Sequence, residues 1–207
     1  MNTPELAGLE SCATLWNGVR VPWLGLGTAG QRTPEAKASD KAGTLGSQDG
    51  VAEAVGAALD IGYRHIDSAA FYGNEQAVGR AIAEHPLDRE QVFIATKVWN
   101  DEIAAGPEAT RASMEASLER LRVDWVDLLL LHWPVPGYRR AWQVLEDAYE
   151  HGVARAIGAS NFQVDHLEDL LDQASVAPMV DQVEFHPRLV QPELLRYCRD
   201  RQIQQQG

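Results

Sequence analysis

Four reactive side chains lie at or just beyond the ends of short apolar segments of the sequence: Asp67, Tyr72, Lys97 and His132. A phenol has a pKa of about 10 in water, too high for acid–base work at neutral pH, and a nearby ammonium lowers that pKa because it favours the phenolate. Lys97 would supply the ammonium, Asp67 would keep it protonated and oriented, and His132 would donate a hydrogen bond to a substrate oxygen. These residue types predict proton delivery to a carbonyl oxygen. Since no side chain here delivers a hydride, reduction of that carbonyl requires a nicotinamide cofactor.

The segments that carry these side chains alternate with segments of helical periodicity from about Trp23 onward. The run at 126–132 is nearly continuous in its apolar character, which is typical of a parallel strand buried on both faces. About six strand–helix units in strict alternation predict an α/β fold with a parallel sheet. Asn74 and Pro107 are predicted to lie at helix starts. The predicted strands span residues 21–27, 63–67, 92–97, 126–132, 154–162 and 179–185.

The ends of the predicted strands distinguish between two parallel α/β architectures. In a β/α barrel the carboxyl ends of all strands surround one mouth, which carries the active site. In an open doubly wound sheet, only the pair of strand ends at the switch point lies close together. Asp67, Lys97 and His132 close the second, third and fourth predicted strands. Ser160 and Asn161 lie in the same way at the exit of the fifth. The pattern therefore predicts a single shared site.

Three glycines raise the possibility of a dinucleotide-binding sheet, because Gly25, Gly27 and Gly30 match the spacing G-x-G-x-x-G. In such a sheet a helix begins at the third glycine, whereas this chain continues into a long polar stretch at residues 29–50. No acidic residue ends a second strand about 20 residues later. We interpret the glycines as the end of a strand and residues 29–50 as a flexible insertion in the first βα connection.

Composition and charge restrict the kind of protein and its partners. The 207 residues include 30 acidic and 18 basic side chains, for a net charge of −12, which argues against nucleic acid as the main partner. The longest apolar run is interrupted by Asp127 and His132 and is much shorter than the roughly 20 residues of a membrane span. With no signal-peptide pattern and with Cys12 and Cys198 as its two thiols, the sequence predicts a cytoplasmic protein without a disulfide framework.

Each reactive residue also has a structural explanation when it is taken alone, such as a buried ion pair for Asp67 or ring packing for Tyr72. Their placement at successive strand ends favours a functional site. A metal-dependent barrel hydrolase, with Lys97 as a bridging group, is an alternative from another class of function. The sequence disfavours it, because there is no H-x-H pair and Tyr72 would have no role. The ligands of that alternative would be His65, Asp67, His132 and His186.

Longer stretches around these residues carry a family resemblance. Residues 62–75 read GYRHIDSAAFYGNE, and further matching segments follow in order at 96–100, 127–134, 158–162 and 181–187. Together they resemble the aldo-keto reductases, and in particular the members similar to 2,5-diketogluconate reductase, over about residues 19–203. The resemblance implies an eight-fold β/α barrel of the TIM type that reduces the carbonyl group of a small aldehyde or ketone with NADPH.

The resemblance also assigns roles to positions of this sequence. It implies a catalytic tetrad of Asp67, Tyr72, Lys97 and His132, with Tyr72 as the general acid. It implies that Ser160, Asn161 and Gln182 hold the carboxamide of the nicotinamide, that Gly27 and Thr28 contact the region of its ring, and that Trp99 lines the substrate pocket. It implies no metal.

The sequence departs from the family pattern after residue 203, where a seventh strand ending in an aromatic-Ser-Pro-Leu turn is expected. We therefore expect a single domain over residues 1–207 that is truncated after about six β/α units and lacks the segment that grips the adenosine phosphate of the cofactor. The first and sixth strands would then have unpaired edges, which favour self-association, and cofactor affinity would be reduced. The alternative is a non-catalytic remnant or binding protein of the same fold.

Overall fold

A parallel sheet of seven strands curls around the interior of the protein, and helices connect its strands. The structure is a computed structural model and describes residues 8–30 and 48–207. The strands of the sheet follow one another in chain order, and every neighbouring pair is parallel. A separate antiparallel hairpin, β1–β2, precedes the sheet. The strands are β1 Cys12–Thr14, β2 Arg20–Pro22, β3 Leu26–Gly27, β4 His65–Asp67, β5 Phe93–Val98, β6 Leu128–Leu131, β7 Ile157–Ser160, β8 Val180–Gln182 and β9 Gln204–Gln206.

Helices separate consecutive strands of the sheet, as the alternating pattern predicts. Val51, Val55 and Leu59 form a buried stripe on the first helix. Pro107 is the first residue of a later helix, where its missing N–H costs no helical hydrogen bond. The helices are α1 Gln48–Ile61, α2 Glu75–Glu84, α3 Asn100–Ala105, α4 Pro107–Leu121, α5 Tyr138–Glu150, α6 Val164–Leu171 and α7 Pro192–Asp200, and two short 3₁₀ turns span Ala70–Tyr72 and Arg89–Gln91.

The single strand predicted at 21–27 is wrong, because the structure divides this run between β2 and β3. β2 pairs antiparallel with β1, so that Ala13 lies opposite Val21, and both side chains are buried. The Trp23 N–H donates to the Ser11 carbonyl and extends this pairing. The hairpin therefore takes up the first half of the apolar run, and only the second half joins the sheet.

Residues 204–206 form a strand that the apolar pattern does not predict. β9 pairs with β8, with Val180 opposite Gln204 and Gln182 opposite Gln206. Six strand–helix units are thus followed by a seventh strand. The expectation that the sixth strand forms a sheet edge is wrong, since β3 and β9 are the outer strands. Strand pairing depends on backbone groups, so a run of three glutamines pairs without an apolar side-chain pattern.

The core occupies both sides of the sheet. All four residues of β6, Leu128–Leu131, are buried, as the continuous apolar run predicts. Gly158 in β7 permits the close approach of neighbouring strands: a Cβ there would lie 2.4 Å from the Val180 carbonyl oxygen and 2.8 Å from a methyl carbon of Leu130. A side chain at this position would therefore push the strands apart.

Two further sequence predictions concern an insertion in the first βα connection and the absence of a membrane-spanning segment. Residues 31–47 lie outside the described residues, so the flexible insertion at 29–50 stays a prediction, although α1 already begins at Gln48. Within the described ranges, no helix has the length and apolar character needed to cross a bilayer.

Candidate active site

The carboxyl ends of the parallel strands bring the predicted site residues to one cavity. Asp67 ends β4, Ser160 ends β7 and Gln182 ends β8, while His132 directly follows β6. Tyr72 ends the 3₁₀ turn after β4. The cavity has a volume of about 570 Å³, and its lining includes Gly27, Asp67, Tyr72, His132, Ser160, Asn161 and Gln182. Lys97, Thr28 and Trp99 are not among the lining residues and contact those that are.

An ion pair between Asp67 and Lys97 lies at the centre of the site. The Lys97 ammonium donates to Oδ1 of Asp67 at 2.5 Å and to the Ser68 carbonyl oxygen at 2.9 Å. The other oxygen of Asp67, Oδ2, accepts from Nε2 of Gln182 at 2.8 Å. The Lys97 side chain is 1% exposed. Both carboxylate oxygens thus have a donor, and the ammonium is fixed in position.

Tyr72 lies beside this ion pair, with Nζ of Lys97 5.3 Å from the centre of its ring. Burial raises the pKa of Tyr72 above its ordinary value, Lys97 opposes that rise, and Asp67 adds to it. Lys97 thus acts on the phenol in the predicted direction, but desolvation of the phenolate outweighs the attraction of the ammonium, so the pKa of Tyr72 is raised overall. Tyr72 consequently keeps its proton at neutral pH and can serve as a proton donor.

His132 is an uncharged imidazole in this environment. Burial lowers its pKa to about 4, the Lys97 ammonium contributes to the decrease, and Asp67 opposes it. Its Nδ1 is buried without a hydrogen-bond partner in the part of the chain that the structure describes. This leaves Nε2 as the ring nitrogen that can contact a ligand in the cavity. At neutral pH His132 can orient a carbonyl oxygen through a hydrogen bond, but it does not supply a positive charge.

Three aromatic rings surround the His132 imidazole. The rings of Trp99, Tyr72 and Phe71 lie nearly perpendicular to it, with centres at 5.1, 5.7 and 6.3 Å. Phe71 also stacks on Trp99, with ring centres 3.6 Å apart and planes inclined by 17°. Sequence reasoning missed Phe71, although an aromatic residue next to Tyr72 in a strand-exit loop was an available signal. The stacked pair forms an apolar wall beside the proton donor.

Asn74 connects the ends of the first two strands of the sheet. Its Nδ2 donates to the Thr28 carbonyl at 2.7 Å, and its Oδ1 accepts from the Ser68 hydroxyl at 3.0 Å. The Thr28 hydroxyl donates to the Asp67 carbonyl oxygen at 3.0 Å. The prediction of Asn74 as a capping residue is right in position but wrong in bonding, because α2 begins at Glu75 without a side-chain cap. Asn74 is used instead to hold the backbone beside Asp67.

The donors and acceptors at the other side of the cavity fit a primary carboxamide. Nδ2 of Asn161 donates to the His132 carbonyl at 2.9 Å and to the Ser160 hydroxyl oxygen at 3.1 Å, and Nε2 of Gln182 donates to Asp67. A carboxylate and a backbone carbonyl only accept, so these bonds fix which amide atom is nitrogen. Oδ1 of Asn161, Oε1 of Gln182 and the Ser160 hydroxyl hydrogen remain. Two acceptors and one donor complement the N–H groups and carbonyl of a nicotinamide carboxamide.

Two kinds of ligand-binding group are absent: basic side chains that would bind a phosphate, from the cavity lining, and clusters of metal ligands, from the described residues. No Lys or Arg is among the residues that line the cavity, so the lining offers no cation to a phosphate. No group of three or more His, Cys, Asp or Glu side chains within the described ranges is arranged to hold a metal ion. His65 is buried beside the Pro22 carbonyl, and His186 pairs with Glu184 at the surface. The metal-hydrolase alternative therefore has no ligand set there.

The chain is similar to curated proteins over most of its length. It is 47% identical over 204 residues to an uncharacterized oxidoreductase, YtbE, of Bacillus subtilis (strain 168). The aligned region covers 96% of this chain and 67% of that relative. It is 47% identical over 197 residues to the glyoxal reductase of the same organism, covering 95% of this chain and 66% of that protein. It is 39% identical over 161 residues to methylglyoxal reductase DkgA of Escherichia coli (strain K12), covering 76% and 57%. The chain thus spans about two thirds or less of the length of these relatives.

Solved structures and a family model agree with this relationship. An aldo/keto reductase from Brucella melitensis superposes with a TM-score of 0.84 at 35% identity, covering 94% of this chain and 70% of the other. A Bombyx mori aldo-keto reductase in complex with NADP gives a TM-score of 0.83 at 36% identity, covering 96% and 66%. These neighbours confirm the predicted α/β fold of the TIM-barrel type, of which this chain forms a curled half-barrel of seven parallel strands. The model of the aldo/keto reductase family matches residues 24–206, and the chain therefore belongs to this family.

Proposed function

We propose that this protein reduces the carbonyl group of a small aldehyde or ketone to an alcohol, with NADPH as the hydride donor. The observation that carries the proposal is the arrangement of a protonated Tyr72, the buried Asp67–Lys97 pair and a neutral His132 at one cavity. The relatives named glyoxal reductase and methylglyoxal reductase support a small dicarbonyl compound as the substrate class.

The proton in this reaction comes from Tyr72. The phenol donates a hydrogen bond to the carbonyl oxygen and transfers its proton as negative charge develops there. The Lys97 ammonium stabilises the resulting phenolate, since it already opposes the rise in the pKa of Tyr72. Nε2 of His132, as a neutral donor, orients the same oxygen.

The cofactor would be held at the opposite side of the cavity. Bound NADPH supplies the hydride that adds to the carbonyl carbon. Ser160, Asn161 and Gln182 present one donor and two acceptors to its carboxamide, as described above. Three hydrogen bonds from these side chains would fix the nicotinamide in the cavity that Tyr72 and His132 also line, and such positioning is a large part of catalysis.

The direct test measures NADPH oxidation with glyoxal or methylglyoxal as substrate. Wild-type protein should consume NADPH, and Tyr72→Phe should reduce kcat/KM by about 100-fold or more, because general acid catalysis contributes 10²–10⁴-fold. Tyr149→Phe, the same change on α5 outside the cavity, serves as the matched control and should retain activity. Folded, monodisperse wild-type protein that consumes no NADPH would contradict the proposal.

A binding protein without turnover is the second candidate. One observation favours it: the cavity lining contains no Lys or Arg that could bind a phosphate of the cofactor. Titration of NADPH against tryptophan fluorescence separates the candidates when it is combined with the activity assay. Saturable quenching with no NADPH oxidation supports the binding protein, and quenching with oxidation supports the reductase.

A further inference from the structure

The hydrogen bond between Gln182 and Asp67 crosses the mouth of the curled sheet. Gln182 ends β8 and Asp67 ends β4, and β5, β6 and β7 lie between these strands in the sheet. The two residues are 115 positions apart in the chain, yet Nε2 of Gln182 lies 2.8 Å from Oδ2 of Asp67. The contact therefore connects the side of the cavity that fits a carboxamide with the side that carries the proton donor.

Asp67 depends on this contact for one of its two oxygens. Lys97 holds Oδ1, and Gln182 holds Oδ2. With both oxygens bonded, the carboxylate cannot rotate without breaking one of the two hydrogen bonds. Because Lys97 is bonded to this carboxylate and to the Ser68 carbonyl, fixing Asp67 also fixes the ammonium beside Tyr72.

The amide group of Gln182 can serve both sides at once. A primary amide has two N–H donors and one carbonyl acceptor. Since Asp67 takes up a donor on Nε2, Oε1 stays free to accept from the carboxamide of a bound nicotinamide. Asn161 differs in this respect, because its Nδ2 is bonded to the His132 carbonyl and to Ser160, and not to Asp67.

We infer that Gln182 is a positioning residue that couples the nicotinamide site to proton delivery, with Nε2 fixing Asp67, and through it Lys97, while Oε1 faces the cofactor. The cofactor part of this inference rests on the proposed function. The part that concerns Asp67 and Lys97 belongs to the protein alone and can be tested in the absence of cofactor.

The electrostatic consequence has a definite sign. The Asp67 carboxylate raises the pKa of Tyr72, and the Gln182 N–H directs its positive end at that carboxylate. Removing the N–H leaves more of the negative potential to act on the phenol, so Tyr72 should ionise at higher pH. Removing the Asn161 amide should leave this ionisation where it is.

The test compares Gln182→Met with Asn161→Ala as the matched control. In cofactor-free protein, the tyrosinate absorbance is titrated with base, and the contribution of Tyr72 is isolated by subtracting the titration of Tyr72→Phe. We expect the Tyr72 step to move to higher pH in Gln182→Met and to stay in place in Asn161→Ala. Gln182→Glu is the second variant, because its carboxylate has the same shape, cannot donate when ionised and should move the step further in the same direction.

Steady-state kinetics provide the second readout. Both Gln182→Met and Asn161→Ala should raise KM for NADPH, since each loses a contact to the carboxamide. Gln182→Met should also lower kcat, by about tenfold or more, because a misplaced catalytic group costs up to 10²-fold. Gln173→Met, the same change at an exposed position outside the cavity lining, should keep kcat within about twofold of the wild type.

The outcomes separate this inference from the proposed function. An unmoved Tyr72 titration in both Gln182 variants, or an unchanged kcat in Gln182→Met, overturns the positioning role. Wild-type protein without NADPH oxidation overturns the proposed function instead, and the cofactor-free titration still decides whether Gln182 positions the ion pair.

Discussion

Lys97 donates to Asp67 at 2.5 Å with only 1% of the lysine side chain exposed, so the pair is an ion pair in the interior of the site. Lys97→Met leaves the Asp67 carboxylate without its cation, and breaking a buried pair in this way typically costs about 3–5 kcal/mol. We expect the free energy of unfolding, measured with urea, to fall by an amount of that order. The variant should also lose the proposed reductase activity, because Tyr72 loses its neighbouring ammonium.

A double variant and a surface pair provide the controls for this prediction. Asp67→Asn combined with Lys97→Met contains no unpaired charge and should recover a large part of the lost stability. Arg111→Met breaks the pair between Arg111 and Asp147, whose side chains are about half exposed, and should change stability little. Equal losses in the single and double variants would contradict the account of Lys97 as the partner of a buried charge.

The protonation state of His132 gives a second prediction. Because burial lowers its pKa to about 4, the imidazole should stay neutral from pH 7 down to about pH 5. Nuclear magnetic resonance of the histidine side chains in cofactor-free protein, with His132→Gln for assignment, measures this directly. A midpoint near the ordinary value of about 6.5 would show that the imidazole is not desolvated as described.

Asp181 gives a prediction for the dependence of stability on pH. This carboxyl group on β8 is fully buried, neither oxygen has a hydrogen-bond partner in the described part of the chain, and Gln205 lies opposite it on β9. Burial raises its pKa from 3.8 to about 8. Between these two values the folded protein holds a proton that the unfolded chain has lost. The contribution of Asp181 to stability therefore decreases as pH rises, by up to about 1.4 kcal/mol per pH unit.

His132 acts in the opposite direction over part of this range. Between its ordinary value of 6.5 and about 4, the unfolded chain binds a proton that the folded protein does not, so its contribution to stability rises with pH. Below pH 6.5 the two residues change the free energy of unfolding in opposite directions as pH rises. Between pH 6.5 and about 8, His132 no longer offsets the decrease caused by Asp181. The unfolding energy of Asp181→Asn minus that of the wild type should increase from pH 5 to pH 8. A constant difference for Asp181→Asn would contradict the prediction.

The sequence pattern predicts the central strands of the sheet better than its last strand and its shortest helix. The runs at 92–97 and 126–132 are apolar and short, and they contain most of β5 and all of β6, because burial on both faces requires such residues. β6 is shorter than predicted, since it spans only Leu128–Leu131. β9 was not predicted, since its residues Gln204–Gln206 show no apolar pattern and are held by backbone pairing with β8. The helix α3, Asn100–Ala105, was missed because six residues are too short for a helical period to show.

The site residues were predictable as a set, but their bonds were not. Their positions at strand ends follow from a parallel sheet, in which all carboxyl ends point the same way. The pairing of Gln182 with Asp67 depends on how strongly the sheet curls, and the bond of Asn74 to Thr28 depends on the pairing of β3 with β4. Both are tertiary relationships between distant segments, and residue type alone does not encode them. The direction of the Tyr72 pKa also needed the depth of burial, which the sequence pattern does not give.

Two helical glycines give the last prediction, because the same substitution should have opposite effects at them. Gly79 in α2 packs against the end of α4: a Cβ there would lie 2.4 Å from the Leu121 carbonyl oxygen. Gly56 in α1 has no atom within 4 Å of the corresponding position. Gly79→Ala must push α2 away from the α4 backbone and should destabilise the protein by about 1–3 kcal/mol. Gly56→Ala removes only the flexibility of the unfolded chain and should stabilise it by about 0.5–1 kcal/mol. Urea unfolding of the two variants decides the matter, and a stabilised Gly79→Ala would show that α2 and α4 are not packed backbone to backbone.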